Sequence, residues 1–302
     1  MKEVIAVIVT YNRFSLLKKA IAAIEKQTYP IKEIIIVNNG STDETVAWLA
    51  NQNKFKVIYI KENTGASGGF YHGIKAAASM KMDWIWVMDD DTICQENALK
   101  FLMDKAPKIH GKLGFIGSRC NWRDGEPHLM NVPNIKPVFN KAIPFNYYDQ
   151  YNLLLAESNS WVSLLLNIDA VRDVGLPYKE FFFWSDDLEY TQRITQAGYM
   201  GFYCTDSIVL HDTDKNYCPD FYNETINNVW KYKYGFRNEF FLKRKSKGYI
   251  YFAFWLIAKV GYTSYKLIKI RKDHQFKFIG ILFSSAWESI FFNPKIEKVH
   301  LI

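Results

Sequence analysis

Cysteine is scarce in this chain. Its 302 residues include four, Cys94, Cys120, Cys204 and Cys218, and no two form a CxxC pair. That excludes a zinc ribbon or a disulfide framework and leaves reduced thiols as the expected state. Long apolar runs are missing too. The longest, residues 249–258, is about ten residues, against the roughly 20 that span a bilayer. The opening MKEVIAVIVTYNR has a short apolar run that leads into a polar turn, unlike a signal peptide. No internal repeat or low-complexity tract is present. The glycine-rich stretch Gly65-Ala66-Ser67-Gly68-Gly69 has neither GxGxxG spacing nor a Walker Lys-Ser/Thr, which argues against a dinucleotide site or a P-loop. Lys and Arg are absent for several residues around Asp89-Asp90-Asp91, so nothing nearby in sequence relieves that charge.

What is there suits one large domain with an appendage. Hydrophobic residues make up 49% and aromatics 17%, and the net charge is +7. A sizeable core can form. The basic balance fits nucleic acid, anionic lipid or phosphorylated ligands without choosing among them. Apolar runs at 4–9, 33–37, 55–60 and 84–88 read as strands. Helical spacing occupies 15–26, 42–51, 67–79 and 95–105. Strand and helix in alternation predict an α/β fold with a mainly parallel sheet and helices on both faces. Ligands of such sheets bind beyond the carboxyl ends of the strands. Polar clusters fall there four times: Thr10-Tyr11-Asn12-Arg13, Asn38 to Asp43, Glu62 to Gly69, and the acid triplet. Any one of these is accounted for by a turn or cap, since Ser41 and Thr42 cap helices well; four in succession point to a site.

In an extended strand alternate side chains share a face. Asp89 and Asp91 are therefore expected on one side, suited to a hard divalent cation, with Asp90 elsewhere. His211 follows the apolar run 208–210, and imidazole suits manganese. Residues 184–189, Trp-Ser-Asp-Asp-Leu-Glu, place acids beside an aromatic ring. They suit a general base with a sugar-stacking platform, though acids at a helix start are also favoured by the dipole. From about residue 222 the chain becomes basic and aromatic. An interfacial helix on an anionic membrane and a packed helical appendage both fit.

Val9 to Arg13, Val37 to Asp43, Asn63 to Gly69 and Asp89-Asp90-Asp91 together resemble an inverting family 2 glycosyltransferase of GT-A fold, over about residues 3–215. Residues 184–190 with His211 resemble its galactofuranosyltransferase and rhamnosyltransferase branch. The resemblance implies a GT-A domain over 1–221 and a helical C-terminal region over 222–302. It implies donor contacts from Thr10, Asn12, Arg13, Asn38, Asn63, Gly68, Gly69, Asp89 and Asp90. Mn2+ or Mg2+ would sit on Asp89, Asp91 and His211. Asp187 would be the base, and Trp184, Asp186 and Glu189 would hold the acceptor. The second loop reads Asn38-Asn39 where many relatives carry Asp-Asn, so the pyrimidine base is left open between UDP and dTDP donors. UDP-galactofuranose comes first, dTDP-rhamnose second. The acceptor would be a glycan or lipid-linked glycan of a bacterial surface polysaccharide, met by a cytoplasmic enzyme at the inner face of the membrane. Two other classes compete. A sugar-phosphate nucleotidyltransferase lacks its Gly-rich basic loop after the first strand. A nucleic-acid binder leaves the acid triplet unexplained, so no nucleic-acid partner is expected.

Overall fold

A computed structural model gives the fold; residues 1–299 are described. The chain forms two compact units. One comprises Met1–Lys179, Asp186–Tyr217 and the residues from Ile296; the other comprises Glu180–Ser185 and Cys218–Lys295.

The first unit opens with β1 (Val4–Thr10), α1 (Phe14–Glu25), β2 (Glu33–Asn39), α2 (Glu44–Ala50), β3 (Lys56–Ile60) and α3 (Gly65–Ala78). Next come β4 (Trp84–Asp89), β5 (Thr92–Cys94), α4 (Ala98–Lys105), β6 (Leu113–Asn121), β7 (Asn134–Ile135), β8 (Val138–Phe139) and β9 (Ile143–Pro144). It closes with β10 (Leu153–Ser158), β11 (Leu164–Asn167), α5 (Ile168–Val174), α6 (Asp186–Gln196) and β12 (Met200–His211). The main sheet runs β3-β2-β1-β4-β11-β6-β12-β10-β7, with β5 on β12. Its β3-β2-β1-β4 half is parallel, as the sequence pattern predicts. Beyond β4 it is mixed, because β11 runs antiparallel between β4 and β6.

Side-chain alternation splits the core between the two faces of the sheet. Val4, Ala6, Ile8, Trp86 and Met88 pack with Leu17 and Ile21 of α1, Leu49 of α2 and Leu102 of α4. Ile5, Val7, Val9, Ile85 and Val87 pack with Phe70 and Ile74 of α3, Val171 of α5 and Ile194 of α6. The Gly65–Gly69 stretch is the first turn of α3, which begins two residues before the helical spacing at 67–79. Its glycines serve packing: a Cβ on Gly69 would lie 2.3 Å from Val9 Cγ1, and one on Gly73 2.4 Å from Val7 Cγ1. α3 therefore sits directly on β1. β12 is a single strand through Met200–His211, and its pairing with β6 shifts register between Cys204 and Ile208.

The second unit is helical: α7 (Trp230–Lys247), α8 (Tyr249–Ile270) and α9 (Gln275–Phe291). Phe236, Phe240, Phe252, Val260, Leu267, Phe278 and Leu282 form its core. Buried Arg244 donates to the carbonyls of Ser289, Ile290 and Phe292, closing the otherwise unsatisfied end of α9. The segment Glu180–Ser185 is held here by Asn238 of α7. Its fully buried Nδ2 donates to the carbonyls of Phe181 (3.0 Å), Phe183 (3.2 Å) and Trp184 (2.9 Å). Phe182, Trp184 and Ser185 have φ of 65°, 64° and 68°, a left-handed run that non-glycine residues adopt only under constraint. Asn238→Ala removes the donor from under that run. It should destabilise the protein by about 2–3 kcal/mol, read as a lower urea midpoint; an unchanged midpoint would show that the segment holds itself.

Candidate active site

The acid triplet sits where β4 ends, but not as strand alternation predicts. β4 stops at Asp89 and Asp90-Asp91 form the turn into β5. The reversal is forced by pairing, since β5 runs antiparallel to β12 with Thr92 opposite His211. Asp89 and Asp91 are thus not related by extended backbone. Asp89 follows Ile85 and Val87 on the face of the sheet that α3, α5 and α6 cover. Asp91 is tied to the end of β12, where the Asp212 N–H donates to its carbonyl at 2.8 Å.

Relief of the charge comes from far away in sequence. Arg13 Nη1 donates to Asp91 Oδ2 at 2.6 Å and to Asp90 Oδ1 at 3.2 Å. Thr10 Oγ1 donates to Asp90 Oδ2 at 2.8 Å. Burial pushes Asp90 up to about 6 against the pull of Arg13. Burial, reinforced by the charges of Asp91 and Asp90, pushes Asp89 well above the usual carboxylate range. Burial acts on Asp91 too, but His211 in its protonated, donating form and Arg13 outweigh it and hold this carboxyl at about 2.

His211 faces this acid with a defined tautomer. Asn131 Nδ2 donates to Ser160 Oγ, so its Oδ1 accepts from His211 Nδ1–H at 2.8 Å. In the neutral ring Nε2 then carries a lone pair, and it lies 3.2 Å from Asp91 Oδ1. That oxygen is buried and makes no hydrogen bond. Two acceptors facing each other need a proton or a cation between them. A carboxylate oxygen and an imidazole nitrogen suit manganese, and a ring fixed through its other nitrogen is the arrangement metal-binding histidines use. Among the described residues, no three of His, Cys, Asp or Glu are drawn together as a ready metal cluster. The observed pair is Asp91–His211. Beside it the His128 ring lies against His211 at a tilt of 38°, with centroids 4.5 Å apart; burial and the neighbouring imidazole lower its pKa to about 4.

The remaining loop residues interlock. Asn12, at φ 53°, accepts from the Thr42 N–H through Oδ1 at 2.7 Å, and its own N–H donates to Ser41 Oγ at 3.0 Å. Asn38 Oδ1 accepts from the Ser41 N–H at 3.0 Å, and Asn63 Oδ1 from the Gly65 N–H at 2.8 Å. Asn12, Asn38 and Asn63, expected as donor contacts, also brace the loops after β1, β2 and β3.

The second acidic group opens α6. Asp186 is buried and its Oδ2 accepts from Trp161 Nε1–H at 2.8 Å. Burial raises its pKa. Half-buried Asp187 accepts from the Leu188 N–H at 2.7 Å, and burial with the charge of Asp186 lifts it to about 7. Glu189 binds Arg193 with both oxygens, at 3.0 and 2.9 Å, a link within the helix that leaves it a poorer acceptor contact than the sequence suggests. Trp184 belongs to the other unit, where its ring meets Tyr232 edge-on at 4.9 Å. Sequence reasoning missed Asn131, Trp161 and Asn238. Asn131 lies in an irregular Asn/Pro-rich stretch, Trp161 reads as part of an apolar strand, and Asn238 is an Asn inside a helix; no local signal marks them.

Comparison with known proteins gives a consistent picture. The pattern described as "Glycosyl transferase family 2" matches residues 5–160, just over half the chain. Galactofuranosyltransferase GlfT1 of Mycobacterium tuberculosis is 24% identical over 215 residues, covering 70% of each chain. Among solved structures, S. aureus TarS 1–349 in complex with UDP superposes with a TM-score of 0.53 at 15% identity, over 70% of this chain and 60% of that one. GalNAc-T7 with UDP, GalNAc and Mn2+ superposes with a TM-score of 0.55 at 15% identity, over 74% of this chain and 47% of that one. The chain spans less than two thirds of either structure, and at this identity the likeness carries the GT-A fold alone.

Proposed function

The chain belongs to glycosyltransferase family 2 and is a transferase, and from that premise we propose an inverting enzyme that moves a sugar from a pyrimidine nucleotide donor to a glycan hydroxyl. The observation that carries the reading is Asp187, a half-buried carboxyl at the start of α6 raised to about 7. A base of that strength removes a hydroxyl proton near neutral pH. The acceptor oxygen, freed of its proton by Asp187, attacks the anomeric carbon; the bond to the leaving diphosphate breaks in the same displacement, and the configuration inverts. Arg13 lowers the negative potential where the diphosphate must sit beside Asp90 and Asp91. Asp186, held by Trp161, steadies the start of α6. Mn2+ or Mg2+ on Asp91 and His211, with Asp89 a further carboxyl that the cation would draw into its ionised form, would supply neutralisation of the diphosphate as it departs. UDP-galactofuranose is the favoured donor, in keeping with the GlfT1 relatives, and dTDP-rhamnose is the second. The acceptor is a glycan on a lipid carrier in bacterial surface polysaccharide synthesis, reached from the cytoplasmic side of the membrane.

The test is a melting-temperature panel of nucleotide sugars with manganese. A ligand at a hundred times its Kd should stabilise the protein by about 2.7 kcal/mol, and one donor should stand out. Stabilisation by UTP with pyrophosphate release on adding a sugar phosphate would replace the proposal with the nucleotidyltransferase.

A further inference from the structure

α8 presents apolar side chains on two faces. Phe252, Val260, Thr263 and Leu267 are buried in the helical core. Opposite them Ile250 (81% exposed), Phe254 (74%), Ile257 (73%), Tyr265 (54%) and Ile268 (58%) recur at helical spacing. The stripe runs the length of a helix about 33 Å long. α9 repeats the pattern with Phe276 (87%), Phe283 (56%), Trp287 (66%) and Phe291 (69%). A surface helix ordinarily places polar residues there, and a contiguous apolar face of this kind marks an interaction surface.

Charge identifies the occupant. Residues 243–291 hold ten Lys or Arg and only two acids, Asp273 and Glu288. That segment supplies the whole of the chain's +7 excess. Lys247, Lys269, Lys272 and Lys277 are exposed. A second copy of the same face would bring like charge against like charge, whereas anionic headgroups complement it. Tyr and Trp along the stripes suit the level of the headgroups. No helix among the described residues is long and apolar enough to cross a membrane, so the contact is parallel to the bilayer.

We propose that α8 and α9 lie flat on an anionic lipid bilayer, with their aromatic and aliphatic stripes in the interface and their lysines on the headgroups. This deepens the reading of a lipid-borne acceptor, on which it rests. The test is cosedimentation of the full chain with vesicles of phosphatidylcholine alone or in equimolar mixture with phosphatidylglycerol. Binding should favour the anionic vesicles and weaken with added salt. Phe254→Asp with Ile257→Asp should reduce it at least about a hundredfold, and Lys272→Glu with Lys277→Glu about tenfold or more. All four positions are exposed, and nucleotide-sugar stabilisation with transfer to a water-soluble acceptor should be unchanged. Vesicle binding that ignores both variants, no vesicle binding, or self-association that protects the stripes would overturn the proposal. Transfer to the soluble acceptor without vesicle binding overturns this surface alone. Vesicle binding sensitive to the variants, with no transfer to any acceptor, upholds the surface and removes the catalytic reading.

Discussion

Replacing Asp187 with alanine should lower transfer by about 10²–10⁴-fold while nucleotide-sugar stabilisation persists. The carboxyl sits at the start of α6, lifted to about 7 first by burial and then by the charge of Asp186. Asp89, pushed up first by burial, also feels the charge of Asp186. A base works only when ionised. Turnover in the native protein should therefore rise with pH through about 7 and level off, and Asp187→Ala should lose that limb. Stability runs the other way. The folded pKa lies above the ordinary 3.8, so this group's contribution is complete below about 4 and is lost as pH rises through about 7. Melting curves against pH should show the native protein losing stability over that window relative to Asp187→Asn. A variant that turns over at the native rate would remove Asp187 as the base.

Chelation should have an effect of the same order. EDTA is expected to lower transfer at least about a hundredfold, the scale of losing one preorganised electrostatic stabiliser, and manganese to restore it. The reason lies in Asp91 Oδ1, buried, without a hydrogen bond and 3.2 Å from His211 Nε2. Asp91→Asn should neither bind manganese by calorimetry nor respond to it. Asn131→Ala should keep the ligands but free the ring, weakening manganese binding about 10–100-fold. Transfer that survives chelation would leave the Asp91–His211 pair as a simple ion pair.

Much of this was legible in the sequence because burial is written there as pattern. β1, β2 and β4 are continuous apolar runs that can only be buried strands, and the polar clusters follow them at the same sheet edge. Glycine ordinarily signals a loop, whereas in α3 it removes a clash with Val7 and Val9. The acid triplet reads as extended because it continues an apolar strand; the pairing of Thr92 with His211, far along the chain, imposes the turn. Arg13 reaches the acids, and Asn131 reaches His211, only through tertiary folding. Their contacts span 78 and 80 positions, beyond any local periodicity.

The left-handed run before α6 also has a timetable. Asn238, its clamp, lies 57 residues beyond Phe181. On a ribosome adding about 5–20 residues per second, that interval takes roughly 3–11 seconds. For that time the nascent chain holds its acidic helix start next to a segment that has not received its clamp. A chain released short of α7 would carry Asp186 and Asp187 on a lead-in free to relax toward ordinary backbone. Translation must therefore pass the helical unit before the entry to α6 is final.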